Sequence, residues 1–73
     1  MIQPDTIKSA IEDGLPCEHV QVTGDGHHFE AVIVSAQFRG KTRVQQHQMV
    51  YDALKGNMGG VLHALALQTS APK

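Results

Sequence analysis

The chain has a single cysteine, Cys17, so it closes no disulfide within itself, and a framework of cross-links is excluded as the source of its stability. Charge of one sign is lacking too. Six Lys plus Arg stand against seven Asp plus Glu, so no global basic field exists to hold phosphates or an anionic membrane, and any nucleic-acid contact has to be local. No apolar run approaches the roughly eighteen residues that a membrane span needs. The first residues do not join a charged region to an apolar core and a cleavage site, and the expectation is a soluble, cytoplasmic chain. Internal repeats and low-complexity tracts are also missing. At 73 residues the chain is expected to form one domain, 1–73, with a modest core and no large catalytic cleft.

What is present is a sequence of short, well-punctuated elements. From Pro4, the apolar positions Ile7, Ala10, Ile11 and Leu15 follow helical spacing, with proline suited to a first turn and Gly14-Leu15-Pro16 closing the segment. Glu18 to Thr23 alternates, and His28 to Ser35 is rich in β-branched residues, so the two predict a hairpin across Gly24-Asp25-Gly26. Beyond a loop through Phe38-Arg39-Gly40, the residues Val44, His47, Val50, Tyr51, Leu54 and Met58 fall on one side of a second helix, which Gly56 and Gly59-Gly60 end. Val61 to Thr69 reads as a third strand, with His63, Leu65 and Leu67 on one face. The predicted class is α+β in the order α-β-β-α-β, a three-stranded mixed sheet with helices on one face.

The connection between the second and third strands is a crossover through a helix, which joins parallel strands by a right-handed path. If these strands are neighbours, they start at the same edge of the sheet, which brings His27 and His28, in the stretch GDGHHF, near His63. An antiparallel arrangement would separate them by about 17–20 Å, the length of a strand. Topology therefore decides whether a cluster of histidines exists. Read from the residues alone, His28 is a hairpin residue on an exposed face and His63 a polar residue at a strand mouth. His47, in the middle of its helix's apolar stripe, is expected to be a buried, hydrogen-bonded structural histidine, and Tyr51 a core ring. Cys17 has no helix start or basic cluster beside it to favour the thiolate.

The ordered set Phe38-Arg39-Gly40, Arg43, His47 on a helix, and His63-Ala64-Leu65-Ala66-Leu67 with Thr69 resembles the BolA family over nearly the whole chain. GDGHHF together with SAQFRGK is similar to its short bacterial IbaG-like branch. The resemblance implies a class II KH-like domain that works with monothiol glutaredoxins in iron-sulfur trafficking and iron-linked regulation. It further implies a [2Fe-2S] cluster bridging the two proteins, held by the glutaredoxin's cysteine, a glutathione thiol and two BolA side chains. Those two map onto His63 and onto His28 or its neighbour His27, with His28 preferred because it immediately precedes Phe29, as in the bacterial branch. Imidazole is a competent iron ligand and, replacing thiolates on one iron, raises a cluster's potential. It binds only as the neutral base, so acid should release the cluster. Two protein ligands leave most cluster positions open, so no cofactor is expected on the isolated chain, a monomer or weak homodimer.

A second reading is a KH-like nucleic-acid-binding transcriptional regulator using Lys41 and Arg43. The arginines that often flank the helix histidine in the family are Gln46 and Gln48 here, which removes two potential phosphate contacts, and no Gly-x-x-Gly clamp is present. An enzyme is not expected, because no nucleophile with an adjacent base and no complete metal-ligand spacing is found. Relatives continue past the strand threonine through a proline into a short Trp-containing helix. Here Ser70-Ala71-Pro72-Lys73 is expected to be a flexible tail.

Overall fold

The computed structural model describes residues 3–54 and 64–73. The elements run α1 (Pro4–Gly14), β1 (His19–Gly24), β2 (Phe29–Val34), a 3₁₀ turn (Ala36–Phe38), α2 (Arg43–Leu54) and β3 (Leu65–Ser70). Helix α1 begins where Pro4 fills a position whose N–H has no intrahelical partner, and the Gln3 carbonyl accepts from the amide of Thr6 at 3.0 Å. Helix α2 starts with a reciprocal cap. Thr42 Oγ1 accepts from the Gln45 amide at 3.1 Å while Gln45 Oε1 accepts from the Thr42 amide at 2.9 Å, so side chains replace two missing backbone partners.

The sheet has the order β1-β2-β3. Strands β1 and β2 pair antiparallel with His19 opposite Val34 and Gly24 opposite Phe29, and β2 and β3 pair parallel with Phe29 opposite Leu65. The expected hairpin and crossover are both present. One face of the sheet is covered: Val20, Phe29, Ala31, Ile33 and Leu65 are buried against Ile7, Ile11 and Leu15 and against Val50 and Leu54. Residues of the opposite face, including Gln21, Val32 and Gln68 of one row, stay exposed. No helix among the described residues is long and apolar enough to cross a membrane.

The structure differs from the sequence reading at Val44 and at Ser70, and part of the third-strand reading lies outside the described residues. Val44, assigned to the buried stripe of α2, is 78% exposed. At 3.6 residues per turn it lies about 120° around the helix from Val50, so a stripe centred on Val50 and Leu54 excludes it. Strand β3 begins at Leu65, and Val61, Leu62 and His63 lie outside the described residues, as do Gly56, Met58 and Gly59-Gly60. Ser70, placed in a flexible tail, is instead the last residue of β3 and its carbonyl accepts from the Ser35 amide at 3.0 Å. Beyond it, Ala71 packs on the core and Arg39 Nη2 donates to the Pro72 carbonyl at 2.7 Å.

Ser35 is the one polar residue in the core among the described residues, and it is fully satisfied. Its hydroxyl donates to the Pro16 carbonyl at 2.6 Å and accepts from the Gln37 amide at 3.1 Å, tying the α1–β1 turn to the 3₁₀ turn. Ser35→Ala is expected to cost about 1–2 kcal/mol in urea denaturation, the loss of one cap and one buried hydrogen bond.

Candidate functional site

The turn between β1 and β2 is built around Asp25. Its Oδ1 accepts from the His27 amide at 2.8 Å and the His28 amide at 2.9 Å, and its own amide donates to the His28 carbonyl at 3.2 Å. Gly26 has a φ of +96°, a left-handed conformation that glycine adopts without a Cβ clash. At Gly24 a Cβ would lie 2.5 Å from a ring carbon of Phe29 and 2.6 Å from the His28 carbonyl oxygen, so the backbone of His28 closes directly onto this glycine. The two amide hydrogen bonds, that of His28 first and then that of His27, hold the Asp25 carboxyl below the usual aspartate range. Because the folded pKa is depressed, the turn's stabilisation by this charge is present above the unfolded pKa and is lost as pH falls through the lower folded value. An NMR titration of the Asp25 carboxyl carbon is expected to show a midpoint below that of an aspartate in an unfolded peptide.

The parallel register places the starts of β2 and β3 at one edge of the sheet. There His28, Phe29 and Glu30 line an open groove of about 310 Å³ with Ala64, Leu65 and Ala66. His28 is held by its backbone N–H and C=O, which leaves the imidazole exposed on this groove. His27 is also exposed, but it does not line the groove. The strand alternation that would put the two histidines on opposite faces does not reach them, because β2 starts at Phe29. His63 lies outside the described residues; in the sequence it immediately precedes Ala64, which does line the groove. Among the described residues no three His, Cys, Asp or Glu side chains are grouped to hold a metal ion.

The remaining candidate residues sit elsewhere. His47 is half-buried rather than buried, and with Arg43, Leu67, Gln68 and Thr69 it lines a second groove of about 340 Å³ between α2 and β3. Tyr51 is likewise half-buried at the margin of the core. Both flank the Val50 and Leu54 stripe, as Val44 does. Lys41 and Arg43 are exposed at the start of α2. Cys17 is half-buried, its thiol donating to the Leu15 carbonyl at 3.1 Å, and burial, then Glu18 and Glu12, push its pKa up, which keeps it protonated.

One structural role escaped the sequence reading. Gln46, noted only as a missing cation, bridges three segments: its amide nitrogen donates to the carbonyls of Phe38 at 3.3 Å and Lys41 at 3.0 Å, and its oxygen accepts from Thr69 Oγ1 at 2.6 Å. Gln48 is bonded to Asp52 at 3.0 Å on the exposed side of the helix.

The profile of the family described as BolA-like protein matches residues 4–73, which includes every residue of the elements above. The chain belongs to the BolA family. This BolA chain is 31% identical over 72 residues to the acid stress protein IbaG of Escherichia coli K12, a match covering 97% of the chain and 86% of IbaG. It is 40% identical over 55 residues to the DNA-binding transcriptional regulator BolA of Haemophilus influenzae, covering 75% of the chain and 53% of that protein. It spans about half the length of that regulator and of the mammalian BolA-like protein 1 relatives it matches. Among solved structures, a BolA homologue from Coxiella burnetii superposes with a TM-score of 0.87 at 44% identity, covering 99% of this chain and 94% of the other. The fold of this chain, with a three-stranded sheet and two α-helices among the described residues, is that of this structural relative.

Proposed function

We propose that this BolA protein is an adaptor, not an enzyme, that pairs with a monothiol glutaredoxin in the cytoplasm and shares with it a bridging [2Fe-2S] cluster. In this pairing His28 and His63 are the chain's ligands, and the glutaredoxin cysteine and a glutathione thiol complete the set. The observation that carries the reading is the parallel register of β2 and β3, which puts His28 on one groove with Ala64, the residue that follows His63. The donor chemistry fits: an exposed imidazole on an open groove can reach an iron that a partner presents, and neutral nitrogen ligands suit iron. His27 is the alternative ligand; the Asp25 carboxylate holds both amides, and the Asp25 amide and Gly24 favour His28 by fixing its carbonyl as well.

Anaerobic reconstitution with a monothiol glutaredoxin, glutathione, iron and sulfide is expected to yield a heterodimer whose visible absorption and circular dichroism differ from those of the glutaredoxin homodimer. A spectrum identical to that of the homodimer, with the two proteins separating on size exclusion, would overturn the reading.

A second reading, regulation by DNA binding, has its own observation in the exposed Lys41 and Arg43 and in the name of the Haemophilus relative. Two cations neutralising two phosphates would give a slope of log K against log salt of only about −1.8. Binding to duplex DNA with a slope of about that size, unchanged by His63→Ala, would favour this reading over the first.

A further inference from the structure

We infer that Asp25 is a positioning residue for the cluster ligand: its carboxylate holds the amides of His27 and His28 and so fixes the turn from which His28 projects. The inference rests on the reading above, in which a histidine of this turn binds iron.

The geometry treats the two histidines differently. The His27 amide is held at 2.8 Å by the Asp25 carboxylate, but the residue next to it on the other side is Gly26, at φ +96°, and no buried anchor follows directly. His28 is held at its amide by the same carboxylate at 2.9 Å and at its carbonyl by the Asp25 amide at 3.2 Å. Its carbonyl packs against Gly24 so closely that a Cβ there would stand 2.6 Å away. The next residue, Phe29, is buried in the core and paired to Gly24 across the hairpin. The Cα of His28 is thus fixed from both sides, and only its side-chain torsions remain to be ordered when iron binds. Ordering fewer groups on binding costs less, and an outer residue that fixes a ligand typically changes metal affinity by about 10–100-fold.

Asp25 is exposed and is not among the core residues, so its loss should act on the turn rather than on the fold. Asparagine keeps an acceptor oxygen at the same place without the charge. Glutamate keeps the charge but moves the oxygens by one methylene. Acceptor position dominates and the charge adds to it, so Asp25→Asn is expected to lie closer to the native chain and Asp25→Glu closer to Asp25→Ala.

The test has two readouts. In the isolated chain, amide hydrogen exchange at His27 and His28 is expected to quicken in Asp25→Ala and Asp25→Glu and to stay slow in Asp25→Asn, with the thermal midpoint little changed. In the reconstituted heterodimer, Asp25→Ala and Asp25→Glu are expected to weaken cluster retention about tenfold or more against a chelator, and Asp25→Asn to retain it. Native cluster retention in Asp25→Ala, or full function of Asp25→Glu, would overturn the inference while leaving the cluster reading intact. If His28→Ala and His27→Ala together leave the heterodimer spectrum unchanged, the cluster reading itself fails and the inference falls with it.

Discussion

Phe38→Ala is expected to lower stability by about 3–5 kcal/mol, the usual cost of truncating a buried phenylalanine and leaving a cavity. Phe38 is almost completely buried in the short turn after β2, and its carbonyl accepts from the Lys41 amide at 3.0 Å and from Gln46 Nε2 at 3.3 Å. The ring therefore anchors the segment that leads into α2, and Gln46 carries that anchorage across to Thr69 of β3. A chain of this size has roughly 4–11 kcal/mol of total stability at about 0.05–0.15 kcal/mol per residue. The variant is thus expected to be largely unfolded in moderate urea, its midpoint falling by 1 M or more at a slope of about 1–3 kcal/mol/M. Val44→Ala is the matched control. The sequence pattern puts Val44 in the same apolar stripe as Val50, yet it is exposed, and its truncation should change stability by less than about 0.5 kcal/mol. Equal costs for the two would contradict the packing described here.

His28→Ala and His63→Ala are each expected to abolish the heterodimer's distinctive visible spectrum, leaving that of the glutaredoxin homodimer. In the proposed pairing each would remove one of the chain's two iron ligands, and a cluster position left to water would make the bridge labile. His27→Ala should leave the spectrum in place, since His27 does not line the groove that His28 lines. His47→Ala should also leave it in place, because His47 lines the separate groove between α2 and β3. Lowering pH is expected to release the cluster in the native complex, as imidazole binds iron only in its neutral form. Isothermal titration with the apo glutaredoxin separates loss of docking from loss of the iron bond: the His28→Ala chain should still dock weakly but fail to stabilise the cluster.

Much of this architecture was legible from local patterns. The crossover length between β2 and β3 gave their parallel direction, and that direction put the starts of the two strands at one edge. Alternation and glycines gave the hairpin. What periodicity could not show was where α2 is covered: it groups Val44, His47 and Tyr51 with Val50 and Leu54, whereas burial depends on which part of that arc the sheet meets. Nor could it place His28 against His27, because both precede the strand and their backbones follow the Asp25 carboxylate instead of the pleat. Gln46 was read as a lost cation because its partner Thr69 is 23 residues away, a pairing no local window contains. Ser70 and Ala71 read as a tail because their composition is that of a loop, while Ser70 pairs with Val34 of β2 and accepts from the Ser35 amide, and Ala71 packs on the core.

The most direct measurement is pulsed electron paramagnetic resonance on the reduced heterodimer, prepared with this chain alone labelled with ¹⁵N-histidine. The cluster is expected to show strongly coupled imidazole nitrogen with the ¹⁵N signature, lost in His28→Ala and retained in His27→Ala. A cluster whose nitrogen couplings are absent, or unchanged by labelling this chain, would contradict it.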